Sequence, residues 1–300
     1  MAEPATAPTL SSAPAGTIVA VGHGPEGIAV DPLRHVVAVG LRSPAAIAVI
    51  DYSGAAVRVI PLPGAPRHIR FREAGGPLLV PAEDADHLLL IDVTSGVVLR
   101  SVAVGRHPHD AVARDGTVFV SNEQADSVSV VAADGSVTTV AGPQQPGGVA
   151  VTDTSVGILG VRSHTLAVLN PTSLRPVATV AAGVAPTHVV GDSSRFFVAD
   201  TGGDMIRVFT TAPSVREVAT YPAAGRPYGL SLDPVRHHLW VTLTARNSLA
   251  EYDITADQPR LIATYPSVRQ PNTVAVDSTS GEVFVAGASD GVVQILNPKN

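Results

Sequence analysis

Seven prolines in this 300-residue chain each precede a pair of residues that could take part in chemistry. The pairs are Glu26-Gly27, Arg67-His68, His109-Asp110, Gly147-Gly148, Thr187-His188, Tyr228-Gly229 and Asn272-Thr273, after Pro25, Pro66, Pro108, Pro146, Pro186, Pro227 and Pro271. His68, Asp110 and His188 share one register, two residues past the proline. If those positions face a common centre, two imidazoles and a carboxylate make a ligand set for a divalent ion such as Zn, Cu, Fe or Mn. The plainer reading is that these histidines hydrogen-bond the neighbouring backbone. His23 and His107 lie just upstream of two of the prolines, so five of the ten histidines fall in these segments. Glu26, Arg67, His68, His107, His109, Asp110, His188, Tyr228 and Asn272 are the candidate ligand-binding residues. His68, Asp110 and His188 are the candidate metal set.

The element that must position them is a repeat. Successive prolines are 41, 42, 38, 40, 41 and 44 residues apart. Each interval holds apolar runs of four to six residues, rich in Val and Ala, separated by Asp, Gly and Asn turns. That is the pattern of consecutive antiparallel strands, and a period near 40 with several strands per period indicates a propeller. Helical repeats are disfavoured by the β-branched runs and the Gly/Pro punctuation. Four strands, A to D, are predicted per unit, as in DAVA (110–113), VFVSN (118–122), VSVV (128–131) and the run after Asp134-Gly135. The seventh unit stops after strand C, while TIVAVG (17–22) has no unit of its own. The expected fold is therefore all-β, a seven-bladed β-propeller whose N-terminal strand closes blade 7 and removes the open edges.

The run VFVSNEQADSVSVV resembles the YVTN β-propeller repeat, with Asn122 at the Asn of that motif. LLVPAEDADHLLLID and FFVADTGGDMIRVF are looser copies. GPEGIAVDP and RPYGLSLDP look more weakly like NHL-type and lactonase-type repeats. The resemblance covers about residues 17–298 and implies a fold rather than an activity, since sites decide function. Lactonase-type propellers hold a metal through Glu, Asn and Asp, which Glu26, Asn272 and Asp110 could imitate. However, Glu26 follows its Gly-Pro where that family's Glu precedes it. Streptogramin lyases are seven-bladed with a catalytic His, a Glu and Mg, and the match to them is architectural. HPHD resembles a histidine-bearing segment of nitrous oxide reductase, but the histidine count and the absence of cysteine set that identity aside.

In such a propeller the loops from D to A and from B to C share one face, called here the top. Charged residues of the B–C loops, among them Glu83, Asp86, Glu123, Asp126 and Asp204, are expected to be solvated. Composition narrows the functions further. Net charge is -6, and Lys299 is the only lysine, which argues against a nucleic-acid surface. No apolar run approaches the roughly 18 residues of a membrane span. With no cysteine, disulfides and thiolate sites are excluded. There is no G-x-S-x-G or Walker-type motif.

Residues 1–16, rich in Pro, Ala and Ser, read as a flexible tail ahead of a propeller spanning 17–300. They lack the features of a signal peptide, which points to the cytoplasm, or to the periplasm or secretion if a leader has been removed. The function expected is a monomeric propeller that binds a protein, peptide or small molecule at its top face. The alternative is a metal-dependent lyase or hydrolase with a His/Asp site at the channel mouth, in which case a divalent metal is the cofactor.

Overall fold

The computed structural model describes residues 3–298; residues 1–2 of the expected tail, and Lys299, lie outside them. Among the described residues twenty-eight strands form seven four-stranded antiparallel sheets arranged as the blades of a propeller. Blade 3 is typical, with strands Pro108–Arg114, Thr117–Asn122, Ser127–Val131 and Val137–Ala141 hydrogen-bonded in that order. Blade 7 takes Pro271–Val276, Val283–Gly287 and Val292–Leu296 from the C-terminal end. Thr17–Ala20 completes it, pairing Thr17 with Ile295 and Ala20 with Val292.

Burial explains why the strands are so apolar. A, B and C strands are covered on both faces by neighbouring blades, whereas D strands such as Val97–Ala103 are mostly exposed. The core is therefore a series of inter-blade seams. Ala38, Ile47 and Val49 of blade 1 pack on Leu78, Val80 and Leu89 of blade 2. Val39, Ala48 and Ile50 pack on Phe284, Ala286 and Val293 of blade 7. Strands buried on both sides read as continuous hydrophobic runs rather than as alternation.

Each strand A begins at the repeat proline instead of after it, except in blade 2. There Pro66 makes an isolated bridge to Ala82, and the regular strand is only Arg70–Phe71. In the other six blades the register slips directly after the proline, as between Pro25 and Gly27, Pro108 and Asp110, and Pro186 and His188. A bulge inserts an unpaired residue and re-aims its side chain, and a proline that opens a strand costs no ladder donor. The residue released in this way is Glu26, His109, Gly147, Thr187, Tyr228 or Asn272, four of which (Glu26, His109, Tyr228 and Asn272) are candidate site residues.

The N-terminal segment, expected as a flexible tail, makes directed contacts on the top face. The Gln270 side chain accepts from Ala7 N–H and donates to Ala5 O, both at 2.8 Å, and Asn247 Nδ2 donates to Pro8 O at 2.9 Å. Among the described residues no helix is long and apolar enough to cross a membrane.

Candidate functional site

Four rings cross the channel mouth in sequence. His109 to His68, His68 to His188 and His188 to Tyr228 have centroid separations of 5.0, 4.6 and 4.3 Å. His68 and His188 meet with their Nε2 atoms 3.0 Å apart. Below them runs a channel of about 460 Å³, lined by Ile28, Ile69, Val189, Leu230 and Val274, with the two imidazoles as its ceiling. Burial lowers the pKa of both histidines well below its ordinary value. For His68 the neighbouring His188, His109 and Arg67 push the same way, and for His188 so do His109 and Arg67. Both rings are therefore neutral near pH 7.

Asp110, the third member of the metal set expected from register, does not join them. Its carboxylate accepts from Arg70 Nη2 at 3.0 Å, from Val149 N–H at 3.0 Å and from Ala111 N–H at 2.8 Å. These donors come from blades 2, 4 and 3, so Asp110 ties three blades together. Glu26 and Asn272, grouped with it through the lactonase-type resemblance, do meet: Asn272 Nδ2 lies 3.4 Å from Glu26 Oε2.

A different set of ligand atoms converges one blade boundary away. Glu83, His109 and Glu123 are all buried, and each offers one atom within 4.8 Å of the others. His109 Nδ1 lies 3.3 Å from Glu123 Oε2 and 3.7 Å from Glu83 Oε1. His107 Nδ1 approaches the same two oxygens, at 3.3 and 3.8 Å. Ligand atoms about 2.1 Å from a tetrahedral ion stand roughly 3.4 Å from one another, so these separations frame an ion-sized space. The fit is also electrostatic. Neither Glu83 oxygen has a hydrogen-bond partner, nor does His107 Nδ1, and buried polar atoms are rarely left so. Arg42 Nη1 stands 2.9 Å from Glu83 Oε2, an ion-pair distance, which leaves Oε1 facing the imidazoles.

Glu123 is better supplied. His109 Nδ1–H donates to Oε2 at 3.3 Å and Gln145 Nε2 to Oε1 at 2.8 Å. Burial alone raises the pKa of this carboxyl, but the bond and charge of His109, the Gln145 amide and the charge of His107 outweigh it and hold it at about 2. Glu26 goes the other way: burial raises its pKa, against the lowering influence of Arg67 and Arg42.

Local backbone chemistry delivers His107 to this cluster. Asp86, in the left-handed region at φ 56°, ends the B–C loop of blade 2 and accepts the N–H of His107, itself at φ 57°, at 2.8 Å. Asp126 does the same for Gln145, Asp204 for Arg226 and Asn247 for Gln270. These residues, read from sequence as a solvated rim, are clamps between successive blades, and Asp and Asn tolerate the conformation better than most.

Glu83 and Glu123 were expected to be solvated too, and are 1% and 3% exposed. A signal for them was present. Pro66 pairs with Ala82 and Pro108 with Asn122, so each glutamate follows its proline's partner in the same register of adjacent blades. The repeat alignment superposes them; only the assumption that B–C loops are wet concealed them.

No protein-family model and no curated protein matches the chain by sequence. Solved structures do match by shape. Virginiamycin B lyase from Staphylococcus aureus aligns with a TM-score of 0.79 at 15% identity, over 94% of this chain and 99% of that one. A chain of a mitotic checkpoint complex aligns at 0.80 with 14% identity, over 99% and 94%. The β-propeller domain of Myceliophteria thermophila Cps50 (Swd1) aligns at 0.77 with 10% identity, over 93% and 97%. At such identities the likeness is one of fold, and it places the chain among the seven-bladed β-propellers without singling out the YVTN repeat.

Proposed function

We propose that the protein is a metal-dependent lyase or hydrolase that acts on a small polar substrate at the top-face mouth of its channel. The observation that carries this reading is the buried Glu83 Oε1, without a hydrogen-bond partner, facing His109 and Glu123 at ion-ligand spacing, with Arg42 paired to the other oxygen and His107 3.8 Å from Oε1. An imidazole and two carboxylates, with the second imidazole of His107 close by, suit Zn, Mn or Fe(II). A divalent ion held there would supply Lewis acidity towards a carbonyl or similar oxygen. The chain's own groups do the rest. Neutral His68 and His188 can position substrate through hydrogen bonds, and Glu26, which burial keeps protonated to higher pH than an ordinary carboxyl, can deliver a proton. Arg67 brings a fixed positive charge to the same mouth. That one structural neighbour is a lyase agrees with this reading without carrying it.

The direct test is metal content. Native protein, purified without chelator, is expected to carry or take up about one divalent ion. Glu83→Gln should weaken uptake by more than the roughly 10–100-fold that loss of an outer-shell partner costs. Equal uptake by Glu83→Gln and the native protein would exclude this centre.

A second reading, a propeller that only binds a ligand or a protein at its top face, is favoured by one observation. Glu123 is fully partnered by His109 and Gln145 without an ion. Protein that takes up no metal at any pH from 6 to 8 would support it.

A further inference from the structure

Arg67 is 5% exposed, and its Nε has no hydrogen-bond partner. Glu26 Oε1 is 3.9 Å from that Nε, too far to bond it. On the adjacent Nη2 stands the carboxylate of Glu3, at 3.5 Å. Nε and Nη2 together form the side-on edge of a guanidinium, which takes a carboxylate through two parallel hydrogen bonds. Glu3 reaches one of the two atoms, and loosely, while the Tyr228 side chain is a further hydrogen-bond partner of the guanidinium and leaves Nε open.

Glu3 arrives there because the segment behind it is strapped down. Gln270 grips Ala5 and Ala7 on both sides, Asn247 holds Pro8, and Ala7 is buried. Beside the strap lies a cavity of about 530 Å³ that Glu3 and Ala5 help to line, together with Arg162, His164, Thr187 and Arg226. Arg67 is not among its lining residues, so the cavity adjoins the guanidinium through Glu3; its volume suits a small ligand, and its ionisable walls, apart from Glu3 itself, are basic.

We propose that the Nε/Nη2 edge of Arg67 is a carboxylate-binding subsite of the top-face mouth, which the Glu3 carboxylate of the chain's own N-terminal segment occupies until a carboxylate-bearing small molecule displaces it. This rests on the mouth being a ligand site, but not on the metal. The segment acts as an internal competitor, so apparent affinity is lowered by the fraction of time the subsite is free.

Glutarate, which carries the same carboxylate on a short chain, is the probe, titrated calorimetrically in the presence of chelator so that the metal centre plays no part. Removing residues 1–9 leaves the blade-closing strand Thr17–Ala20 and the bond from Gln294 to Ala15 intact. The truncated protein is expected to bind glutarate about fivefold more tightly than the full chain, which corresponds to a tail in place about four-fifths of the time. Glu3→Gln in the full chain should recover most of that gain. Arg67→Gln in the truncated protein should abolish binding, and Arg67→Lys, lacking the two-atom edge, should weaken it. A synthetic peptide of residues 2–9 should bind the truncated protein and lose that binding when its glutamate is replaced by glutamine. Equal glutarate binding by all these proteins, none by any of them, or equal binding of the two peptides would overturn the proposal. Metal titration of the same truncated protein without chelator reports separately on the cation centre.

Discussion

His68 and His188 come from blades 2 and 5, three blades apart around the ring, and their Nε2 atoms lie 3.0 Å from each other. At that distance one ring donates its N–H and the other accepts, which requires the accepting nitrogen to be unprotonated. A proton added to the acceptor sets two donors face to face in a buried site.

Acid should therefore act on stability through this pair. Both histidines have folded-state pKa values below the ordinary 6.5, chiefly through burial. Between the lowered value and 6.5 the unfolded chain binds more protons than the folded one. Stability is then complete above about pH 6.5 and falls as pH drops below it, by at most about 1.4 kcal/mol per pH unit for each group. Thermal midpoints measured from pH 7.5 to 5 should decline more steeply in the native protein than in His68→Gln/His188→Gln. Parallel curves would show that the pair does not titrate in this way.

Asp110 shares the register of these two histidines but has a different task, because three donors already surround it. Asp110→Ala leaves Val149 N–H and Arg70 without their acceptor and should cost about 1.5–3 kcal/mol. Metal content should be unchanged. Loss of metal from a folded Asp110→Ala protein would return Asp110 to the ligand set.

How much of this was legible beforehand varies with the physics involved. The period of about 40, the strand order within it and the spare N-terminal strand could all be read, because two-sided burial writes continuous apolar runs between turn residues. Convergence of His68 with His188 followed from shared register. Register alone does not say what Asp110 meets, since it fixes where a side chain starts and not which donors reach it first; the N–H of Val149 that it accepts belongs to the next blade. Glu83 and Glu123 escaped because charge in a loop was equated with solvation. The strap over Arg67 was hidden by a composition that predicts little order on its own.

The clamp from Asp86 to His107 makes a prediction about geometry at a distance from the ligand atoms. His107 is held at φ 57° by the bond from its N–H to the Asp86 carboxylate. Asp86→Ala removes that acceptor without touching Glu83, His109 or Glu123. Divalent-ion affinity is expected to fall about 10–100-fold, the usual cost of losing a supporting contact, while the thermal midpoint of the metal-free protein moves little. Asp86→Asn, which keeps an acceptor oxygen, should recover most of the affinity. A metal affinity unchanged in Asp86→Ala would mean that His107 takes no part in binding.

Closure of the ring makes the last prediction, and it separates two parts of the N-terminus that adjoin in sequence. Thr17–Ala20 pairs with Val292–Leu296 along four residues, and Val19 packs with Val293 and Ile295 in the seam between blades 1 and 7. Residues 3–9 are held to the top face by the side chains of Gln270, Asn247 and Arg67. Deleting residues 1–9 should therefore leave the thermal midpoint within a few degrees of the full chain. Deleting residues 1–22 exposes the edge of Val292–Leu296, an unpaired template for another chain, and uncovers Ile295 and Val293. That protein should melt markedly lower and form concentration-dependent aggregates in light scattering. Supplying residues 14–22 as a separate peptide should restore part of the midpoint by re-forming the fourth strand. If the longer deletion is as soluble and as heat-stable as the shorter one, the N-terminal strand is not what closes the propeller.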